Sequence, residues 1–197
     1  PEKEKDATLL ENYKLKKSDV VLTTLTRMAS REKYKGYDMV VESLHQLRER
    51  GLNLKYLLIG KYDEKEKVRL DALIKKLDLQ QQVVFTGFVP DEALAEHFNL
   101  SDIYIMPSEK EGFGIVFIEA MYHNKPVIAG NKDGSTDALL NGKLGLLVNP
   151  ESQEEVGCAI TRIISNKEQF LPDRELLMKH FSYQVYKERW KKILECN

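Results

Sequence analysis

A doubly wound α/β fold around a six-stranded parallel sheet is what this sequence predicts, on three observations. Six short apolar runs alternate with amphipathic stretches of helix length. Some runs, LKYLLI at 54–59 and GLLV at 145–148, are apolar along nearly their whole length. Strands covered by helices on both faces need that composition. Strand-then-helix alternation, repeated six times, argues for a parallel sheet rather than hairpins.

The elements follow in order. Residues 20–26 are short and β-branched and read as a strand. Residues 36–50 carry Val40, Val41, Leu44 and Leu47 on one helical face, and Gly51 stands where a left-handed cap belongs. Residues 54–59 are the second strand. The helix at 64–77 has Val68, Leu70, Leu73, Ile74 and Leu77 as its apolar stripe. A third strand covers 83–86. Pro90 and Asp91 start a helix that runs to 99. Pro107 ends the strand at 103–106. A helix at 113–122, a strand at 127–129, a short helix at 135–140 and a strand at 144–148 follow. Ser152 and Glu155 have capping-box spacing at the head of a helix at 151–164. Helices at 174–180 and 183–194 finish the chain. We read one domain over 19–197, preceded by a polar lead-in at 1–18.

With 197 residues the chain is long enough to bury a continuous core. Hydrophobic residues are 42% and charged residues 31%, and the formal net charge is −1, so nothing suggests the electrostatic pull of a nucleic-acid binder. Cys158 and Cys196 lie far apart, which fits a reduced, cytoplasmic compartment. No apolar run reaches the roughly 18 residues of a membrane span. The opening PEKEKD has no apolar core of a signal peptide and reads as a cut through a longer polypeptide.

In folds of this class ligands bind beyond the carboxyl ends of the strands. That rule selects the loops 27–35, 60–63, 87–90, 107–113 and 130–135. The loop 107–113 is the most informative. Gly112 and Gly114 let a ligand approach the backbone. Free N–H groups of residues 113–116, at a helix start, favour an anion. Glu111 on the loop and Glu119 on the second helical turn can face one crevice, as acceptors for a vicinal diol. In the first loop, Arg27 follows the strand and Lys35 precedes Gly36 at a helix start. A cation there opposes the helix dipole, which a bound phosphate would explain. Arg31 and Lys33 share the loop and leave the choice of cation open.

Other chemistries lack their residues. The four histidines have no metal-ligand spacing and there is no DxD triplet. The first strand-to-helix turn, Thr26 to Ser30, lacks the glycines of a dinucleotide fingerprint. No Walker loop and no nucleophile elbow occurs.

These residues resemble a known pattern. Gly87-Phe88-Val89-Pro90, Ser101-Asp102, Met106-Pro107-Ser108, Glu111-Gly112-Phe113-Gly114-Ile115-Val116, Glu119-Ala120-Met121 and Pro126-Val127-Ile128-Ala129 resemble the C-terminal, Rossmann-like half of retaining glycosyltransferases of the GT-B fold, family four. The resemblance covers about residues 20–193. It implies that Arg27 and Lys35 clamp a donor diphosphate and that Glu111 holds hydroxyls of the transferred sugar. Gly112, Phe113, Gly114, Ile115 and Val116 would meet sugar and phosphate through backbone, and Glu119 the ribose. Phe88 and Val89 would meet the base, with Lys61 near it. The resemblance implies a metal-independent hexosyltransferase without a cofactor. UDP-glucose is the first expected donor and GDP-mannose the second, and the acceptor is a glycan or a lipid-linked glycan. An acceptor-binding N-terminal domain would be missing, the chain alone would be inactive, and a full-length protein could sit peripherally at the inner face of a membrane. The last helix, with Tyr183, Tyr186 and Trp190, would pack on that domain. A regulatory nucleotide-sugar-binding module and a GT-B epimerase are the alternatives. Two positions depart from the family: Asn124 stands where glycine is usual, and 131–135 has one glycine where two are common.

Overall fold

The computed structural model describes residues 4–195. Its sheet is formed by β1 (Val21–Leu25), β2 (Lys55–Ile59), β3 (Val83–Gly87), β4 (Ile103–Met106), β5 (Val127–Gly130) and β6 (Leu146–Val148), all parallel, in the order β3-β2-β1-β4-β5-β6. The strand order reverses between β1 and β4. At that point the following helices leave to opposite faces and open a crevice at the carboxyl ends.

One face is covered by α2 (Tyr37–Glu49), α3 (Glu64–Lys76) and α7 (Gln153–Ser165). Val40, Val41, Leu44 and Leu47 of α2 and Val156, Ile160 and Ile163 of α7 meet Leu22, Tyr56, Leu58, Ile105 and Ile128 there. The other face carries α4 (Asp91–Leu100), α5 (Ile115–Tyr122), α6 (Ser135–Ala138) and α8 (Arg174–Phe181) over Leu57, Tyr104, Met106 and Ala129. Each fully buried Leu or Phe contributes about 1.5–3 kcal/mol, so two such layers fix the sheet. The helix α9 (Tyr183–Glu195) follows, with Tyr183, Tyr186 and Trp190 exposed.

Local signals explain the ends of the elements. Gly51 has φ 87° and Leu52 N–H returns to the Leu47 carbonyl at 2.9 Å, a Schellman closure of α2. Asn124, at φ 56°, closes α5 in the glycine-preferred conformation. Ser152 caps α7 by accepting from Glu155 N–H at 3.2 Å, but the Glu155 carboxylate turns to Asn149 N–H at 2.7 Å, so only half of the expected box forms.

Three expectations are corrected. Residues 1–18 are not simply a polar lead-in: Ala7–Asn12 is a helix, α1, capped by Asp6. Leu9, Leu10, Tyr13 and Leu15 pack beneath β1 and β2, and the Tyr13 hydroxyl bonds His97 Nε2 at 2.8 Å. The helix at 113–122 starts two residues later, because Gly114 takes φ 84°. Val68, placed in the apolar stripe of α3, is exposed. Residues 1–3, within the PEKEKD opening, and Cys196 lie outside the described residues.

Candidate functional site

The loops after β1 and β4 flank the switch point and are built to touch. Gly36 ends a 3-10 turn, Lys33–Lys35, at φ 77°, and an added Cβ would lie 2.1 Å from the Pro107 carbonyl oxygen. Only glycine permits that approach. Glu109 N–H then donates to the Tyr34 carbonyl at 2.9 Å. This brings Lys35 Nζ within 2.6 Å of Glu111 Oε2, a pair 17% exposed on each side.

That pair answers one expectation differently. Lys35 was expected to need a phosphate, because its charge opposes the dipole of α2. The Glu111 carboxylate meets the charge instead. Arg27, about half exposed, is likewise paired: its Nε donates to Glu32 Oε2 at 3.1 Å and its Nη2 to Oε1. Arg31 and Lys33 now separate. Arg31 lines a cleft of about 400 Å³ with Arg27, Lys61 and Tyr62, whereas Lys33 is not among its lining residues and its charge helps to lower the carboxyl of the buried Glu66 of α3.

The first loop is fixed by the second. Met28 N–H donates to the Lys61 carbonyl at 2.8 Å, Asp63 N–H to Met28 at 3.0 Å, and Asp63 Oδ2 accepts from Ser30 N–H at 2.9 Å. Gly60 is required where the loops cross, since a Cβ there would lie 2.0 Å from the Thr26 carbonyl oxygen.

The loop before α5 is held by Asp133. Its carboxylate accepts from the Ser108 hydroxyl at 2.7 Å, Glu111 N–H at 2.5 Å and Ser135 N–H at 3.0 Å. Gly134 lies so close that a Cβ would reach 2.1 Å from the Gly112 carbonyl oxygen. Beyond it, the N–H groups of Phe113, Gly114, Ile115 and Val116 have no hydrogen-bond partner among the described residues. They stand at the start of α5, where an anion is favoured. Phe113 packs edge-on against Phe181 of α8, with ring centroids 5.9 Å apart, while Ile115 is exposed.

Glu119 has an exposed carboxylate, yet the protein around it strips enough water to raise its carboxyl above the usual range, and the Asp91 charge adds to this. The buried Tyr104 hydroxyl donates to the Leu25 carbonyl at 3.3 Å, two residues before Arg27, and burial holds its pKa well above the usual range, with the Glu119 and Glu111 charges adding to this. Lys35 and Glu111 therefore meet across the switch point, and Arg27 lines the cleft beside it with Arg31 and Lys61. Phe88 is exposed with Lys61 Nζ 4.7 Å from its ring centre, and the Val89 side chain is buried in the core, which leaves only its backbone for a ligand. Sequence reasoning missed Asp133 and Glu32. The composition Asp133-Gly134-Ser135, a typical local turn, was the available signal for the first. Among the described residues no three His, Cys, Asp or Glu side chains are grouped to hold a metal, and no helix is long and apolar enough to cross a membrane.

Comparison with known proteins settles the family. The model for glycosyl transferases group 1 matches residues 11–180. The chain belongs to that family. It is 30% identical over 173 residues to a GDP-mannose-dependent α-(1-6)-phosphatidylinositol monomannoside mannosyltransferase of Mycolicibacterium smegmatis, covering 84% of this chain and 44% of that one. The chain thus spans less than half the length of this relative. HepE of Anabaena, in complex with UDP, matches with a TM-score of 0.83 at 21% identity, over 97% of this chain and 52% of that one. HepE has also been solved with UDP-glucose. The C-terminal domain of a group 1 glycosyl transferase from Francisella tularensis matches with a TM-score of 0.69 at 21% identity, over 96% of this chain and 94% of that domain. The group 1 chain thus has the expected fold, that of the C-terminal half of GT-B glycosyltransferases.

Proposed function

We propose that this chain is the donor domain of a retaining, metal-independent hexosyltransferase and binds a nucleoside diphosphate sugar at the β1/β4 switch point. The observation that carries the reading is the Lys35–Glu111 pair, which spans the switch point beside the open start of α5. A sugar diphosphate supplies both partners this pair needs when it opens: phosphate oxygens for Lys35 and hydroxyl donors for Glu111. Arg27 and the N–H groups of Phe113 to Val116 add donors for phosphate and sugar. Glu119 accepts the ribose diol, and Phe88 with Val89 and Lys61 meets the base.

The reaction breaks the bond between the anomeric carbon and the diphosphate. Charge grows on the leaving group, and prepositioned cations and N–H groups stabilise that charge more than the ground state. Loss of one such donor costs on the order of 3 kcal/mol in the transition state. The acceptor, a glycan or lipid-linked glycan, is placed by a second domain, so the chain alone binds donor without transferring it.

Calorimetric titration of the chain with UDP, GDP, ADP, UDP-glucose and GDP-mannose tests this reading. One nucleotide series is expected to bind with a Kd on the order of 0.1 mM, about −5.5 kcal/mol. GDP-mannose, named in that relative's description, is an arm of the test beside UDP-glucose. No binding by any of them would overturn the reading. In a full-length enzyme, unchanged transfer by Glu111→Gln would favour the regulatory module, and product formed without acceptor would favour the epimerase.

A further inference from the structure

We infer that Glu32 is a positioning residue, which grips one edge of the Arg27 guanidinium so that the other edge faces the donor diphosphate. The inference rests on the reading above. Glu32 takes Nε–H and one Nη2–H of Arg27, a side-on fork. Of the five donors of the guanidinium, three remain, two on Nη1 and one on Nη2. Glu32 is 14% exposed and Arg27 56%, so the carboxylate is the fixed member and the guanidinium reaches outward. Arg27 borders the cleft it shares with Arg31 and Lys61.

The backbone of Glu32 is fixed as well. Its N–H donates to the Ala29 carbonyl at 2.7 Å, and its carbonyl accepts from Lys35 N–H at 3.0 Å. One residue therefore sets the side chain of Arg27 and the turn that carries Lys35. The Arg27 hydrogen bonds, with the charges of Arg27, Arg31 and Lys35, hold its carboxyl below the usual range against the cost of burial. Glu32 is thus ionised at neutral pH and offsets the charges of Arg27, Arg31 and Lys35 before any phosphate arrives.

A strut and a mere competing charge predict opposite signs. Neutralising a carboxylate that only repels phosphate tightens anion binding. Neutralising one that holds the arginine frees a flexible side chain and weakens binding, because its order must then be regained on binding. The test is calorimetric UDP or GDP binding, whichever series binds, by the chain and its Glu32→Gln, Arg27→Ala and doubly substituted forms at one ionic strength, with melting curves alongside. Glu32→Gln is expected to weaken binding about five- to tenfold with Arg27 present and not at all once Arg27 is alanine. Glu32→Asp keeps the charge, shortens the reach by one methylene and is expected to lose about half of that effect in logarithmic terms. Tighter or unchanged binding by Glu32→Gln, or equal weakening with and without Arg27, would overturn the inference. Full binding by Glu32→Asp alongside a loss in Glu32→Gln would assign charge rather than geometry and overturn it too. If Arg27→Ala binds as well as the parent chain, or the parent binds no nucleotide, the donor-site reading itself fails.

Discussion

Two charge networks lie a short distance apart in this molecule, and they differ in what they leave over. Between α2 and α3, Glu66 is fully buried. It accepts from the Tyr37 hydroxyl at 2.8 Å and from Arg69 Nε at 3.0 Å, while Arg69 Nη2 also bonds Asp38 at 2.6 Å. Every charge there meets its partners inside the fold. Across the β1/β4 crevice, Arg27 pairs with Glu32 and Lys35 with Glu111, but Arg27 keeps free donors and α5 offers unused N–H groups. The first network holds helices together. The second keeps hydrogen-bonding capacity in reserve at an open cleft. On the proposed reading, a charged residue marks the site not by being unpaired but by having capacity beyond its pairing.

That contrast can be broken at its structural end first. Arg69→Met strands the buried Glu66 carboxylate and should cost about 3 kcal/mol. For a chain of this length that is a melting-temperature fall of roughly 6–12 °C. Nucleotide affinity of the folded fraction should stay unchanged; a small fall in melting temperature with lost affinity would reverse the roles of the two networks. At the crevice, Lys35→Ala should weaken nucleotide diphosphate binding about 30-fold, about 2 kcal/mol, and shift the melting temperature little. Equal affinity would show that the Lys35–Glu111 pair is only structural.

Acidity sharpens the comparison further. The raised Glu119 carboxyl takes up its proton at a higher pH than an ordinary carboxylate. A protonated carboxyl loses acceptor capacity, so nucleotide affinity should fall severalfold as the pH drops from 7 toward 5. Glu119→Gln should flatten that limb of the pH profile at an already reduced affinity. The smallest effect is on stability. A folded-state value above the unfolded one means that the neutral form is favoured by folding and that this stability is lost as pH rises through the folded value. At pH 7 Glu119→Gln removes that cost and should raise the melting temperature, by at most about 2 °C for so exposed a side chain. The gain should vanish below about pH 4, where the unfolded chain is also protonated. A fall in melting temperature at pH 7 would place Glu119 in the structural network instead.

Most of the sheet was legible because its strands are covered on both faces, and continuous apolar runs leave few other assignments. Helix α1 escaped because Ala7–Asn12 is under two turns long and buries only part of Leu9 and Leu10 beneath the sheet. The start of α5 was misplaced by two residues because a left-handed Gly114 cannot be told from a helical one by composition. Arg27 stood out by its place after β1, Lys35 and Glu111 by their places before helix starts, and Glu119 by its spacing from Glu111. The supports Glu32 and Asp133 did not. Glu32 looks like any loop glutamate until its carboxylate is seen on Arg27, and Asp133 only becomes a support of Glu111 once β4 and β5 lie side by side.

Amide and arginine side-chain NMR of the chain, titrated with UDP and with GDP, tests the central claim most directly. The donor-site account predicts that the largest shifts fall on the N–H groups of Phe113 to Val116, on Lys35 and on Arg27 Nε–H, with the amides around Glu66 and Arg69 unmoved. Shifts confined to another cleft, such as that lined by Arg50 and Arg162 on the α2–α7 side, would contradict it.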